Sequence, residues 1–216
     1  MKIKVVKDIL EANDSIARSN REAFVKMGAT VFNLMSAPGA GKTTLLKTAL
    51  KKLKSDYKIG VIEGDIATTL DAEQIEKIGI PVVQINTGGA CHLDANMIRN
   101  AYPEFKGKKL DIIIIENVGN LVCPAEFKVG EDYKIMIHSI TEGEDKPLKY
   151  PLMFKESSLL LISKIDLQPY LGVDIAKIKS DAKKLNPDID IIEVSSKTGE
   201  GIDKFIKWIK SHLRKR

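Results

Sequence analysis

A three-layer α/β fold with a mainly parallel sheet is what this sequence predicts. Two observations carry the prediction. Short β-branched or aliphatic runs recur along the chain, and stretches of helical periodicity separate them. Continuous apolar runs of this length belong to strands buried on both faces, and strands separated by helices pair in parallel.

The elements follow in order. Residues 5–27 place Val6, Ile9, Leu10, Ile16 and Phe24 at helical spacing among charges, which predicts an amphipathic leading helix. The predicted strands are VFNLM (31–35), KIGVIEG (58–64), PVVQIN (81–86), DIIIIEN (111–117), KIMIHSI (134–140), SLLLIS (158–163) and DIIEVS (190–195). No linker, repeat or low-complexity tract divides them, so residues 1–216 are expected to form one domain with an N-terminal helix. In such sheets ligands collect beyond the carboxyl ends of the strands, and chemistry is sought there.

Composition narrows the classes. A chain of 216 residues, 44% hydrophobic, can bury one sizeable core. Its longest apolar stretches, 112–115 and 159–162, fall far short of the roughly 20 residues a membrane-spanning helix needs. The amino terminus reaches acidic residues before any sustained apolar segment, so no secretory signal is read and a cytoplasmic location is expected. Two cysteines, Cys91 and Cys123, make no disulfide framework, and in a reducing compartment such a pair is more often buried, catalytic or metal-binding. The net charge of +5 is spread along the chain and sharpens only in the tail, 207–216, which is expected to be a solvated helix end. No nucleic-acid motif accompanies it, and neither a nucleic-acid nor a membrane partner is expected.

Directly after the first predicted strand comes Ser36-Ala-Pro-Gly-Ala-Gly-Lys-Thr43, then Thr44 and a helical stretch. Strand, glycine loop and helix in this order make a P-loop, and the fold is read as that of the P-loop NTPases. Pro38, Gly39, Ala40 and Gly41 form the cradle. The two glycines let backbone N–H groups turn around phosphate oxygens, Lys42 neutralises the β and γ phosphates, and Thr43 offers its hydroxyl to Mg2+. The helix N-terminus behind adds its positive end. Ser36 stands where the usual first glycine would be.

Ser163-Lys-Ile-Asp166 follows the strand SLLLIS and is similar to the guanine-reading Asn-Lys-x-Asp motif of GTPases. A carboxylate at Asp166 accepts both N1–H and N2–H of guanine, a pattern adenine lacks, while the Lys164 stem covers the ring. A site built around such donors discriminates by as much as about 10⁴ to 10⁵. Ser163 replaces the motif's Asn, leaving the base N7 without its usual donor. Ser195-Ser-Lys-Thr198 follows another strand, and Ser196 and Lys197 are candidates for the loop whose backbone reaches guanine O6. GTP is therefore the expected nucleotide.

Asp65 follows the strand KIGVIEG and Glu116 ends the run DIIII, each where an acid reaches Mg2+ or its water shell. With Lys42 they are the candidate catalytic groups; no residue to orient the attacking water is evident. Cys91 and His92 follow PVVQIN and a Thr-Gly-Gly turn, and Cys123 lies seven residues after Glu116. Two thiolates and an imidazole suit Zn2+ or Ni2+ and leave a coordination position open for water or a second chain. A buried thiol pair is the competing reading.

NTGGACHLDANMI (86–98), ENVGNLVCPAEFKVGED (116–132) and SKIDLQPYLGVD (163–174), together with SAPGAGKTTLL (36–46), resemble the hydrogenase nickel-incorporation GTPases of the HypB family. The likeness runs over nearly the whole chain, and the two cysteine-bearing segments are its most specific parts. It implies a GTP-dependent homodimer, of the same broad group as the urease accessory GTPase, that binds nickel or zinc at its interface. With a HypA-type metallochaperone it would assist nickel insertion into the large subunit of a [NiFe]-hydrogenase. Matched by position, the metal ligands are Cys91, His92 and Cys123, and the Mg2+ and nucleotide residues Lys42, Thr43, Asp65, Glu116, Lys164 and Asp166. Some members carry a cysteine- or histidine-rich N-terminal segment; residues 1–30 contain neither residue, and only the GTPase-domain metal site is expected.

Other classes fit less well. A small-molecule kinase needs an arginine-lined lid, and the arginines outside the tail, Arg18, Arg21 and Arg99, are scattered. A metal-storage protein would carry more ligands. The urease accessory GTPases usually have Cys-Pro-His, whereas Cys and His are adjacent here. His138, within a strand-like run, is expected to be structural, and His212 lies in the charged tail.

Overall fold

The seven apolar runs form the seven strands of one sheet, in a computed structural model that describes residues 5–66 and 68–215. They are β1 (Thr30–Ser36), β2 (Ile59–Asp65), β3 (Val82–Asn86), β4 (Ile112–Glu116), β5 (Tyr133–Ser139), β6 (Leu159–Ser163) and β7 (Asp190–Val194). Every neighbouring pair is parallel, in the order β3-β2-β4-β1-β5-β6-β7. β1, β2, β4, β5 and β6 are enclosed nearly throughout, as continuous apolar runs require. The expectation of burial on both faces fails for β3 and β7: these are the two edges, so one flank of each meets solvent and their residues are largely half-buried.

Helices cover both faces. The leading helix α1 is Val5–Met27; α2 (Lys42–Leu53), α3 (Leu70–Glu76) and α4 (Ala95–Ala101) flank the first half of the sheet. The short α5 (Cys123–Glu126), α6 (Lys146–Lys149) and α7 (Pro151–Glu156) lead to α8 (Ile175–Leu185) and α9 (Ile202–Ser211). Alternation along β1 divides the core. Phe32 and Leu34 pack with α2 and α9, Val31 with α1 and α4, and Met35 with α7 and α8. The third layer over β2 and β4 depends on α1, which two buried asparagines fasten. Asn13 accepts from Ala95 N at 2.9 Å, and Asn20 donates to the carbonyls of Ala95 at 2.8 Å and Val129 at 3.1 Å.

The tail departs from the solvated helix end expected of it. α9 stops at Ser211, His212 stacks on Trp208 with ring centroids 4.0 Å apart, and Arg214 turns back onto β1. The Arg214 guanidinium reaches Asp132, and the backbone N–H of Arg214 donates to Thr30 Oγ1 at 2.9 Å. Charge alone reads as solvent exposure; here one arginine finds a half-buried carboxylate, a pairing with no local sequence signal. His138 is fully enclosed in β5, 3.5 Å from Glu142.

Candidate functional site

The P-loop leaves β1 at Ser36 and enters α2 through Gly41. Gly39 (φ 73°) and Gly41 (φ 92°) are both left-handed, a conformation that costs other residues roughly 1–2 kcal/mol. Residues alternating in this way wrap successive N–H groups around an anion, and α2 adds its N-terminal end. Lys42 is half-buried and bends back, its Nζ donating to Ser36 Oγ at 3.0 Å. Ser36 in turn donates to Ala37 O at 2.6 Å. The serine that replaces the usual glycine is thus a clasp for the lysine. Burial lowers the Lys42 pKa, against the opposing pull of Glu116, so the ammonium sits in a pocket short of negative charge at hydrogen-bond distance.

Carboxylates gather beside it. Thr43 Oγ1 donates to Glu116 Oε1 at 2.7 Å, while Glu116 Oε2 is buried without a partner. Burial, only partly offset by Thr43 and Lys42, raises the Glu116 pKa. The parallel register sets Glu63 of β2 directly opposite Glu116. Glu63 is 2% exposed, its Oε2 also lacks a partner, and one of its oxygens lies within 4.8 Å of an oxygen of Asp65 and of Asp71. Burial first, then Glu116, Asp65 and Asp71, push its pKa up to about 8. Orphaned buried carboxylate oxygens next to a threonine hydroxyl suit a hard divalent cation such as Mg2+, which takes oxygen ligands and water. Glu63 and Asp71 were not among the sequence candidates. Glu63 had a signal: two residues before Asp65 on a strand, it must point to the same face.

Glu63 gives a test through stability. A carboxyl whose pKa rises on folding keeps its proton while the unfolded chain ionises, so its burden on the fold grows as pH rises from about 4.5 to about 8. Glu63→Gln is therefore expected to melt higher than the parent, with a gap that widens over that window by at most about 1.4 kcal/mol per pH unit. Thermal melts of nucleotide-free protein across the window check it, and a constant gap would refute the assignment.

At the other side of the P-loop, Ser163 Oγ donates to Ala40 O at 2.9 Å and Lys164 Nζ to Gly39 O at 2.8 Å. Lys164 has φ 61°, the one positive value among the described non-glycine residues. Ser163 replaces the motif's Asn as a tether between the two loops. Ser195 Oγ donates to Asp166 Oδ1 at 2.6 Å, which fixes the carboxylate and brings the 195–198 loop beside it. Ser196 is half-buried and Lys197 exposed on that loop. Gly201 holds the loop against β7: a Cβ there would lie 1.9 Å from Glu193 O. Ser195 was quoted in the sequence motif but not singled out; its hydroxyl makes the contact.

The thiols meet beyond β3 and β4. Cys91 Sγ lies 3.3 Å from Cys123 Sγ and 3.7 Å from His92 Nδ1, and the three ligand atoms all fall within 4.8 Å of one another. The competing reading, a buried thiol pair, does not hold: Cys91 is exposed and Cys123 half-buried. Burial and the neighbouring Cys91 raise the Cys123 pKa, and burial lowers that of His92. A metal would find the imidazole neutral and would displace a thiol proton.

Two asparagines that the sequence reading passed over tie these residues to β4. Asn120 donates to Cys91 O at 3.3 Å, and its Oδ1 accepts from Val122 N at 2.8 Å. Asn117, next to Glu116 and 1% exposed, accepts from both Leu93 N and Val118 N at 3.0 Å and donates to Asn33 Oδ1 at 3.2 Å. Between them Gly119 rests on the P-loop, where an added Cβ would stand 2.9 Å from Pro38 Cα. The segment from Glu116 to Cys123 thus touches the P-loop at one end and the thiols at the other.

Residues 30–193 match the family described as CobW/HypB/UreG, nucleotide-binding domain. The hydrogenase maturation factor HypB of Escherichia coli strain K12 is 48% identical over 209 residues, 97% of this chain and 72% of that one. The probable hydrogenase maturation factor HypB of Methanocaldococcus jannaschii is 42% identical over 212 residues, 98% of this chain and 96% of that one. Among solved structures, HypB from Helicobacter pylori in complex with nickel superposes with a TM-score of 0.88 at 38% identity, over 95% of this chain and 99% of that one.

Proposed function

Because the chain belongs to the CobW/HypB/UreG nucleotide-binding family, among the HypB hydrogenase maturation factors, we propose that it is a GTP-hydrolysing metallochaperone. It binds Ni2+ or Zn2+ through Cys91, His92 and Cys123, and it assists nickel insertion into a [NiFe]-hydrogenase. The observation that carries this reading is the path from Glu116 to Cys123, which joins the phosphate loop to the thiol pair through Gly119, Asn117 and Asn120.

In this reading Pro38, Gly39, Ala40, Gly41 and Thr44 embrace the phosphates and Lys42 neutralises them. Asp166 reads the guanine edge, Lys164 lies along the base, and Ser196 and Lys197 close the loop beside O6. Thr43, Asp65 and Glu116 hold Mg2+, which supplies positive charge at the β and γ phosphates. The nickel or zinc is cargo. Its set of three protein ligands leaves room for transfer to a partner, and a softer, thiolate-rich site suits either ion. The working form is a homodimer formed in GTP, placed in the cytoplasm, which acts with a HypA-type metallochaperone on the hydrogenase large subunit. No nucleic acid or membrane takes part.

A segment that follows the γ-phosphate and also bears a metal ligand makes the metal site sensitive to nucleotide. GTP aligns Cys91, His92 and Cys123 with their counterparts across a two-fold axis, and GDP loosens them. Linkage makes the effect mutual: metal must tighten GTP by the factor with which GTP tightens metal, a coupling typically of about 1–3 kcal/mol. Nickel and zinc titrations with GDP and with a non-hydrolysable GTP analogue, followed by sizing, test it. Cys123→Ala is expected to weaken metal binding and to abolish the metal's effect on dimerisation, with the GTP affinity of metal-free protein nearly unchanged. Equal metal affinity and equal dimerisation in the two nucleotide states would remove the coupling.

A further inference from the structure

The amino-terminal edge of the sheet, opposite the nucleotide and thiol residues, holds a groove that the proposed activity does not use. It lies where α1 and α2 end, beneath the starts of β2 and β4, with a volume of about 1350 Å³. A second hollow of about 570 Å³ shares Lys58 and Lys108 with it and continues as far as Pro81. Six exposed lysines line the larger hollow: Lys26, Lys54, Lys58, Lys106, Lys108 and Lys109. They come from three separate stretches of sequence, so the excess charge that looks dispersed along the chain is gathered by folding.

Little in the protein answers this charge. Two aspartates share the lining, and both are occupied. Asp56 pairs with Lys210 at 2.8 Å, and Asp111 accepts from Lys58 N at 2.8 Å. Among the described residues no carboxylate forms an ion pair with any of the six lysines. Lysines do complement the negative ends of helices, and that accounts for Lys26 in the last turn of α1 and Lys54 just past α2. It does not account for Lys58, Lys108 and Lys109, which stand on the connections into β2 and β4. Lys108 stands 5.6 Å from the centroid of the Phe105 ring, a contact worth little at an exposed site, and clustering the three otherwise costs mutual repulsion.

Between the lysines the floor is apolar, formed by Met27, Tyr57, Tyr102 and Leu110, all at least half-buried. Among the described residues no arginine lines either hollow, although Arg is the side chain that bidentate phosphate recognition favours. We propose that this groove docks an extended acidic peptide segment of a protein partner, with an apolar side chain on the floor and its carboxylates among the lysines. An elongated path suits a peptide, and an apolar anchor inside a charged rim is the usual anatomy of such a contact.

The test uses the full chain and a short fluorescein-labelled peptide of glutamates around one central leucine, read by anisotropy. Lys106→Glu/Lys108→Glu/Lys109→Glu is expected to weaken binding by at least about tenfold, since like charges now face each other. Lys155→Glu/Lys204→Glu/Lys207→Glu makes the same change in net charge on exposed helix positions elsewhere and should leave binding within about twofold. Exchanging the central leucine for serine should also weaken it. Should the first variant melt early, glutamine at the same three positions takes its place, with a smaller loss in the same direction. The proposal is overturned if the parent does not bind, if the two charge variants lose affinity equally, or if a single-stranded oligonucleotide of matched charge binds the groove more tightly.

Discussion

Lys42→Ala is expected to lower GTP turnover by at least about 10² to 10³-fold, the loss that follows removal of one donor aimed at transition-state charge. Its surroundings make the expectation specific. The ammonium is half-buried and its hydrogen bond is to Ser36, so it is held ready for a ligand rather than spent on a structural ion pair. For the same reason the fold should survive: the alanine leaves Ser36 bonded to Ala37 O and removes nothing from the apolar clusters around α2. Single-turnover hydrolysis and a thermal melt on the same preparation separate the outcomes. Retained hydrolysis by a folded variant would overturn the P-loop assignment.

Asp166→Asn is expected to exchange guanine for xanthine. Two charge-assisted hydrogen bonds to the base contribute about 1.5–3 kcal/mol each, so guanine affinity should fall by about 10²-fold or more. The amide can donate to the O2 of xanthine, which replaces guanine's amino group, and xanthine nucleotides should gain. Ser195 donates to Asp166 Oδ1, and an amide oxygen can still accept that bond, though more weakly than a carboxylate, so the loop should stay in place. Competition between the two nucleotides measures the switch, and unchanged guanine affinity would mean that another residue reads the base.

What could be read in the sequence follows from how each signal arises. Runs such as Ile112–Ile115 announce strands because burial on both faces leaves no polar position to blur the pattern. Strand order is set by long-range pairing and leaves no such mark, which is why the half-exposure of β3 and β7 is visible only once they prove to be edges. The phosphate and base loops are legible because each is contiguous. Glu63 was missed although its two-residue spacing from Asp65 gave it away; its partner across the sheet, Glu116, is set by register alone. The lysine groove and the return of Arg214 to Asp132 unite distant residues, and no local pattern encodes either.

Asn117 has a consequence for which side chains its position can accept. Its oxygen receives two backbone N–H groups while its nitrogen donates to Asn33, and all of this is sealed from water. Aspartate matches the size and the acceptor, but it has no donor for Asn33 and would bring a bare charge into the interior beside Glu116. Leucine matches the bulk and strands two amides. Serine is too short to span from Leu93 to Asn33. Of these four side chains only asparagine meets all three demands, so hydrogen bonding alone constrains a residue that has no ligand to hold.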